Sequence, residues 1–206
     1  MSKRRCVIFV AGEPSGIPDG LKDAYIIAAD AGFGALKGQM LTPDILIGDF
    51  DSLGHVPEGV KVLRHPVEKD DTDMALAAEY AVSLGFRELY LFGATGGRTD
   101  HTLANLQLIA GLSQRGIRPY IISERERFTA VTNDSISVYG SAGTIVSVFC
   151  MGDEARGVTL RGMKYPLDNA TITCTRPLGV SNELLGSEGV VTVSNGTLLV
   201  VVSAAE

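Results

Sequence analysis

The chain has 206 residues, 45% of them hydrophobic and 20% charged, a balance that excludes a disordered chain and fits one or two globular domains. A net charge of -6 at pH 7 without a Lys/Arg cluster makes the chain a poor candidate for a nucleic-acid or anionic-membrane binder, and no apolar run approaches the roughly 20 residues that span a bilayer. The three cysteines, Cys6, Cys150 and Cys174, are far apart and form no C-x-x-C, which fits reduced thiols in a cytoplasm. The start Met1–Arg5 is basic, but the apolar run Cys6–Ala11 is short and Gly12-Glu13-Pro14 breaks it, so the segment reads as a first strand and not as a signal peptide.

From there to about residue 125, short apolar runs alternate with helical patterns. Cys6–Ala11, Ala24–Ala29, Ile45–Ile47, Val60–Leu63, Leu89–Phe92 and Tyr120–Ile122 have the length and composition of buried strands. A short helix is expected over Phe33–Gly38. A second starts near Asp71 and runs to Leu84, with Met74, Ala77, Ala78 and Ala81 at helical spacing and Gly85 as its stop. A third spans about His101 to Gln114, with Leu103, Leu106, Leu108, Ile109 and Leu112 as its apolar positions and Gly116 as its stop. Strands alternating with helices predict an α/β N-terminal domain whose mostly parallel sheet is covered on both faces.

Beyond Glu124-Arg125-Glu126-Arg127, which reads as a junction, the helical period disappears. Phe128–Thr132, Ile136–Val138, Thr144–Phe149, Ala170–Thr175, Val190–Val193 and Leu198–Val202 read as strands of an all-β sandwich, with Asn195-Gly196 as a hairpin turn between the last two. The expected division is residues 1–127 and 128–206.

Acidic residues gather in three places, each just past a predicted strand or at a helix start, the edge where open α/β sheets bind ligands. Asp49 and Asp51 leave a strand two residues apart, so they face the same side. Two carboxylates about 4 Å apart repel by about 4 kcal/mol at an effective dielectric near 20, and a hard divalent cation with oxygen ligands offsets that. Asp70, Asp71 and Asp73 follow Lys69 and open the second helix; helix capping accounts for Asp71. Gly93-Ala94-Thr95-Gly96-Gly97-Arg98-Thr99-Asp100-His101 leads into the third helix. Its glycines let backbone approach a ligand, the helix start receives negative charge, and Arg98 is a fork donor for phosphate oxygens. The run is neither a Walker A loop nor a dinucleotide fingerprint, and no Gly-x-Ser-x-Gly elbow occurs in the chain. These residues together describe a metal-dependent enzyme acting on phosphate groups.

Gly48-Asp49-Phe50-Asp51-Ser52, Lys69-Asp70-Asp71-Thr72-Asp73, Gly96-Gly97-Arg98-Thr99-Asp100-His101 and Val180-Ser181-Asn182-Glu183 together resemble the thiamine pyrophosphokinase (thiamine diphosphokinase) family, in order and in spacing. The resemblance implies a Rossmann-like, ATP-binding catalytic domain followed by a thiamine-binding β-sandwich, and a homodimer whose active sites are shared between subunits. It implies Mg²⁺-dependent transfer of pyrophosphate from ATP to the hydroxyethyl group of thiamine, giving AMP. Carried over by position, Asp49, Asp51, Asp70, Asp73 and Asp100 are the metal and catalytic carboxylates, with Asp49, Asp51 and Asp73 on the metal. Lys69 and Arg98 neutralise phosphate, with Gly96, Gly97, Thr99 and Asp30 on the nucleotide. Ser181 and Asn182 hold the thiamine pyrimidine. Animal members carry a tryptophan in the terminal hairpin that packs on thiamine; this chain has none, and Val200 stands roughly there.

Two rivals remain at this stage. One is a metal-dependent phosphohydrolase or nucleotidyltransferase, where Asp-x-Asp at a strand end also recurs. The other is a nucleotide-sensing module without turnover, against which the accumulation of acidic charge argues.

Overall fold

A computed structural model describes residues 5–12, 16–29, 32–39, 41–48, 59–64 and 72–203. The chain divides into two compact units, Met1–Asn105 with Tyr120–Glu124, and Leu106–Pro119 with Arg125–Glu206. The last change of unit falls inside the charged stretch Glu124–Arg127.

Along the chain β1 (Cys6–Phe9), β2 (Tyr25–Ala29), α1 (Gly32–Gly38), β3 (Ile45–Gly48), β4 (Lys61–Arg64), α2 (Asp73–Ser83), β5 (Glu88–Phe92), α3 (Thr99–Gln114) and β6 (Arg118–Ile122) follow one another, all in the first unit except α3 from Leu106 onward and the first two residues of β6. The strands lie in the order β6-β5-β1-β2-β3-β4. The pairings of β1 with β5 and β2, of β2 with β3 and of β3 with β4 are parallel. β1 is central, with Cys6 opposite both Tyr25 and Leu89, and it is buried along its whole length. That is why its sequence is an unbroken apolar run. Alternate residues Val7 and Phe9 join Ile26, Ala28, Phe33, Leu36 and Phe92 in one core cluster on the α1 side. α2 packs on β1, β2 and β3 through Met74, Ala77, Ala78 and Ala81. β4 closes the described order as an edge, and its charged ends Lys61 and Arg64 are exposed.

Two details of the helices differ from expectation. The N-cap of α2 is Thr72, whose hydroxyl accepts from the Ala75 N–H at 3.2 Å; a hydroxyl in this position satisfies an orphan donor as well as a carboxylate does, and Asp71, to which capping was assigned, lies outside the described residues. In α3, Ile109 and Leu112 are buried while Leu103 is 58% exposed.

The second unit holds β7 (Glu126–Thr132), β8 (Ser135–Tyr139), β9 (Ile145–Cys150), β10 (Glu154–Arg161), β11 (Leu167–Thr173), β12 (Asn182–Glu183), β13 (Glu188–Thr192) and β14 (Thr197–Ser203). One set of strands runs β12-β9-β14-β7 and a separate antiparallel sheet runs β11-β10-β13-β8. Val131, Val146, Val148, Leu198 and Val200 of the former and Val138, Ala155, Val158, Leu160 and Val191 of the latter share one core cluster, as two facing sheets do. β10 has no counterpart among the sequence-predicted strands. Gly157 (φ +66°) interrupts its alternation, and the β10–β11 register shifts between Ala155 and Val158.

Asn195-Gly196 does not close a hairpin. β13 pairs with β8 and β10, and β14 pairs with β7 and β9. Both edges of each strand are therefore taken, and the turn carries the chain from one sheet to the other. Gly196 (φ +110°) donates its N–H to Asn133 Oδ1 at 2.8 Å and accepts the Asn133 N–H at 3.2 Å. The turn chemistry was legible; which strands it joins was decided by the pairing partners.

Candidate active site

The parallel strands of the first unit end where their backbones crowd together. A Cβ on Gly12 would overlap the carbonyl of Gly93, and one on Gly32 would overlap that of Phe9. Gly93 itself has φ +72° and lies against the Val10 carbonyl. Glycine at all three positions lets the segments after β1, β2 and β5 approach to backbone contact. The loop after β5 is held from behind by Asn105, a buried α3 residue whose Nδ2 donates to the Ala94 carbonyl at 2.8 Å. Sequence reasoning passed over Asn105; the available signal was an amide on the apolar side of α3, four residues before Ile109.

Beyond this anchored stem, Gly96, Gly97, Arg98, Thr99 and Asp100 are all exposed and lead into the first turn of α3. Arg98 Nε donates to Asp100 Oδ1 at 3.1 Å and its Nη2 to Oδ2 at 2.6 Å. Asp100 Oδ1 also accepts the His101 N–H at 3.0 Å. Hydrogen bonding to Arg98 holds the Asp100 carboxyl below its ordinary range and pushes the guanidinium up. The pair is 73% and 62% exposed, so both groups remain open to a phosphate or a cation, and their mutual attraction is screened.

Asp73 stands exposed in the first turn of α2. Asp30, Asp49, Asp51, Lys69 and Asp70 lie outside the described residues. Among the described residues no group of three or more His, Cys, Asp and Glu side chains converges as a metal site. The candidate donor set Asp49, Asp51 and Asp73 consists of carboxylates alone, and hard oxygen ligands of this kind fit Mg²⁺ and not a soft metal.

In the second unit, Ser181 and Asn182 face different ways. Ser181 is exposed, has φ +55°, and donates its N–H to Ser147 Oγ at 3.0 Å. Asn182 begins β12, opposite Val146 of β9, and is 1% exposed. Its Nδ2 donates to the Tyr165 carbonyl at 2.7 Å, while Oδ1 accepts the Tyr165 N–H at 2.9 Å and the Glu183 N–H at 3.0 Å. Lys164 Nζ contacts Glu183 Oε1 at 2.8 Å and lies 5.5 Å from the Tyr165 ring centroid. Val200 is fully buried in the core of this unit, so its side chain is not available to pack on a ligand.

The family model for the thiamin pyrophosphokinase catalytic domain matches residues 21–121, and that for the thiamin pyrophosphokinase vitamin B1 binding domain matches residues 133–200. Thiamine pyrophosphokinase of Bacillus subtilis is 30% identical over 96% of this chain and 98% of its own length. Its crystal structure superposes with a TM-score of 0.85, at 27% identity over 98% of this chain and all of that one. Thiamin pyrophosphokinase from Geobacillus thermodenitrificans gives 0.84 at 30% identity, with 98% of both chains covered. An anchored glycine-rich loop carrying Arg98 and Asp100, the two family models in chain order and full-length relatives all agree: the chain belongs to the thiamin pyrophosphokinase family.

Proposed function

We infer the working parts of the family's reaction in this chain, which is an ATP:thiamine diphosphotransferase. The hydroxyethyl oxygen of thiamine attacks the β-phosphorus of ATP, the bond from that phosphorus to the α,β-bridging oxygen breaks, AMP leaves with the bridging oxygen, and the alcohol proton is released. Little covalent chemistry is asked of the protein; positioning and charge stabilisation dominate such transfers. Residues 1–127 form the Rossmann-like ATP-binding domain and residues 128–206 the thiamine-binding β-sandwich.

Backbone N–H groups of Gly96, Gly97 and Thr99 at the start of α3 cradle phosphate oxygens, as a glycine-rich helix start does. Arg98 and Lys69 neutralise the charge that develops on the transferred group. Asp30 holds the nucleotide. Asp49, Asp51 and Asp73 hold Mg²⁺, which when bound neutralises and orients the phosphates. Asp70 and Asp100 complete the catalytic carboxylates. Ser181 and the Asn182 segment receive the thiamine pyrimidine.

The enzyme works as a homodimer with active sites shared between subunits. The exposed apolar side chains Leu178, Val180 and Leu185 around β12 support a partner surface there. It works in the cytoplasm, away from nucleic acid and membrane. Among the described residues no disulfide joins Cys6, Cys150 or Cys174, and no helix is long and apolar enough to cross a membrane.

The observation that carries this reading is the exposed Arg98–Asp100 pair on the glycine-rich loop at the start of α3. Incubation with ATP, Mg²⁺ and thiamine, followed by resolution of the nucleotides, tests it. Thiamine-dependent AMP together with thiamine diphosphate is the expected result. ADP or free phosphate formed without regard to thiamine would establish a hydrolase instead.

A further inference from the structure

We infer, resting on the thiamine-binding role of the Ser181 segment, that Asn182 is a positioning residue and that Tyr165 is the thiamine contact it positions. An amide side chain has two donor hydrogens and two acceptor lone pairs. Both lone pairs of Asn182 Oδ1 are taken by the N–H groups of Tyr165 and Glu183, and Nδ2 is spent on the Tyr165 carbonyl. At 1% exposure, the remaining N–H has no open path to a ligand. The amide brackets both backbone polar groups of one residue, Tyr165, as a neighbouring strand would.

The residue so held is not a core residue. Tyr165 is 58% exposed, and the Lys164 ammonium lies over one face of its ring with its charge met by Glu183. Two consecutive residues of β12 thus fix the backbone and the flank of one exposed aromatic side chain. Ser181, immediately before them, is held in the left-handed region with its N–H on Ser147 Oγ. Strain of this kind persists where the surroundings over-determine it, and it gathers at binding sites. A hydroxyl and a flat aromatic face, each carried on backbone held in place, suit a planar cationic heteroaromatic ligand, which takes hydrogen bonds at its edge and stacking or cation–π contact on its face. Thiamine, with an aminopyrimidine and a thiazolium, is of this class.

Steady-state kinetics with thiamine and ATP varied separately read the assignment. Tyr165→Ala raises the thiamine KM roughly tenfold and leaves the ATP KM within about twofold, and Tyr165→Phe, which keeps the ring, recovers most of the loss. Asn182→Ala raises the thiamine KM by a similar factor. The Asn182→Ala/Tyr165→Ala double variant is no worse than either single one, because both remove the same contact. Multiplying effects would make Asn182 an independent contact and overturn the inference, as would a Tyr165→Ala enzyme with an unchanged thiamine KM. If Asn182→Ala fails to fold, Asn182→Asp keeps the two acceptors and loses the donor to Tyr165, and it replaces Asn182→Ala in the cycle. Wild-type protein without thiamine-dependent AMP overturns the activity itself; calorimetric titration with thiamine then reads the inference, and equal Kd for wild type and Tyr165→Ala rejects it.

Discussion

Arg98 and Asp100 grip each other through two parallel hydrogen bonds although only one residue separates them. Each is exposed, so the pair adds little to stability, and what it fixes is the direction of a guanidinium at the start of α3. On the proposed reading, phosphate oxygens would compete for the same donors and would release Asp100. Arg98→Ala and Asp100→Asn are each expected to lower kcat/KM by about 10²–10³, while the melting temperature stays within a degree or two of wild type, as expected for a screened surface pair. Paired measurement of thiamine-dependent AMP release and thermal unfolding checks both halves. A large loss of melting temperature would make the pair structural.

Asn105 of α3 is expected to bear the stability of the same loop. Its bond to the Ala94 carbonyl is buried, and removing one partner leaves the other without compensation. Asn105→Ala should cost about 1–3 kcal/mol in urea unfolding and raise the ATP KM, since the glycine-rich run loses its anchor. An unchanged ATP KM would separate the loop's support from nucleotide binding.

Three α-carbon positions give a graded steric test. Gly12→Ala and Gly32→Ala each place a methyl group on a neighbouring backbone carbonyl and should cost about 1–3 kcal/mol, because backbone cannot step aside as a flexible side chain can. Gly34→Ala, in α1 with nothing within 4 Å of its added Cβ, should stabilise by about 0.5–1 kcal/mol through helix propensity. Chemical denaturation of the three variants side by side checks the order. Equal losses at all three would mean the close approach of the strand ends is not what the glycines serve.

Much of the first unit could be read from the chain, because its signals are local. Apolar runs such as Cys6–Phe9, the small residues of α2 and the glycines before Arg98 each announce their role within a few residues. What was not legible depends on partners far along the chain. The clamp of Asn182 on Tyr165 spans 17 residues, and a two-residue strand has no pattern of its own. The same holds for Asn195-Gly196, whose turn propensity is real while the pairings of β13 and β14 are set elsewhere. β10 was hidden because Gly157 puts the alternation out of phase.

Alkaline stability follows from the half-buried tyrosines Tyr25 and Tyr90 of the first unit. Burial, with neighbouring Tyr80 and Asp44 charges behind it, pushes the Tyr25 hydroxyl up to about 12 from 10.0, and burial with the Glu88 hydrogen bond raises Tyr90 as well. The fold therefore favours the neutral phenols. Their contribution is whole below pH about 10, where unfolded tyrosine begins to ionise, and for Tyr25 it is lost as pH rises to about 12. Urea midpoints should fall across that interval, and Tyr25→Phe should flatten the fall. An equally steep decline in the variant would place its cause in other groups.

The position of β14 carries a consequence for how the second unit forms. It is flanked by β7 and β9, and its contacts with β7 join residues 65 to 77 apart in sequence. Loops of that length must close before β7 gains β14 as its partner, so β7–β14 association is a late and slow event compared with local contacts. Until then β7 and β9 offer unpaired backbone to any strand that meets them. The refolding enzyme should accordingly be most prone to self-association at a stage when α2 and α3 are already helical, and dilution during refolding should raise its recovered yield.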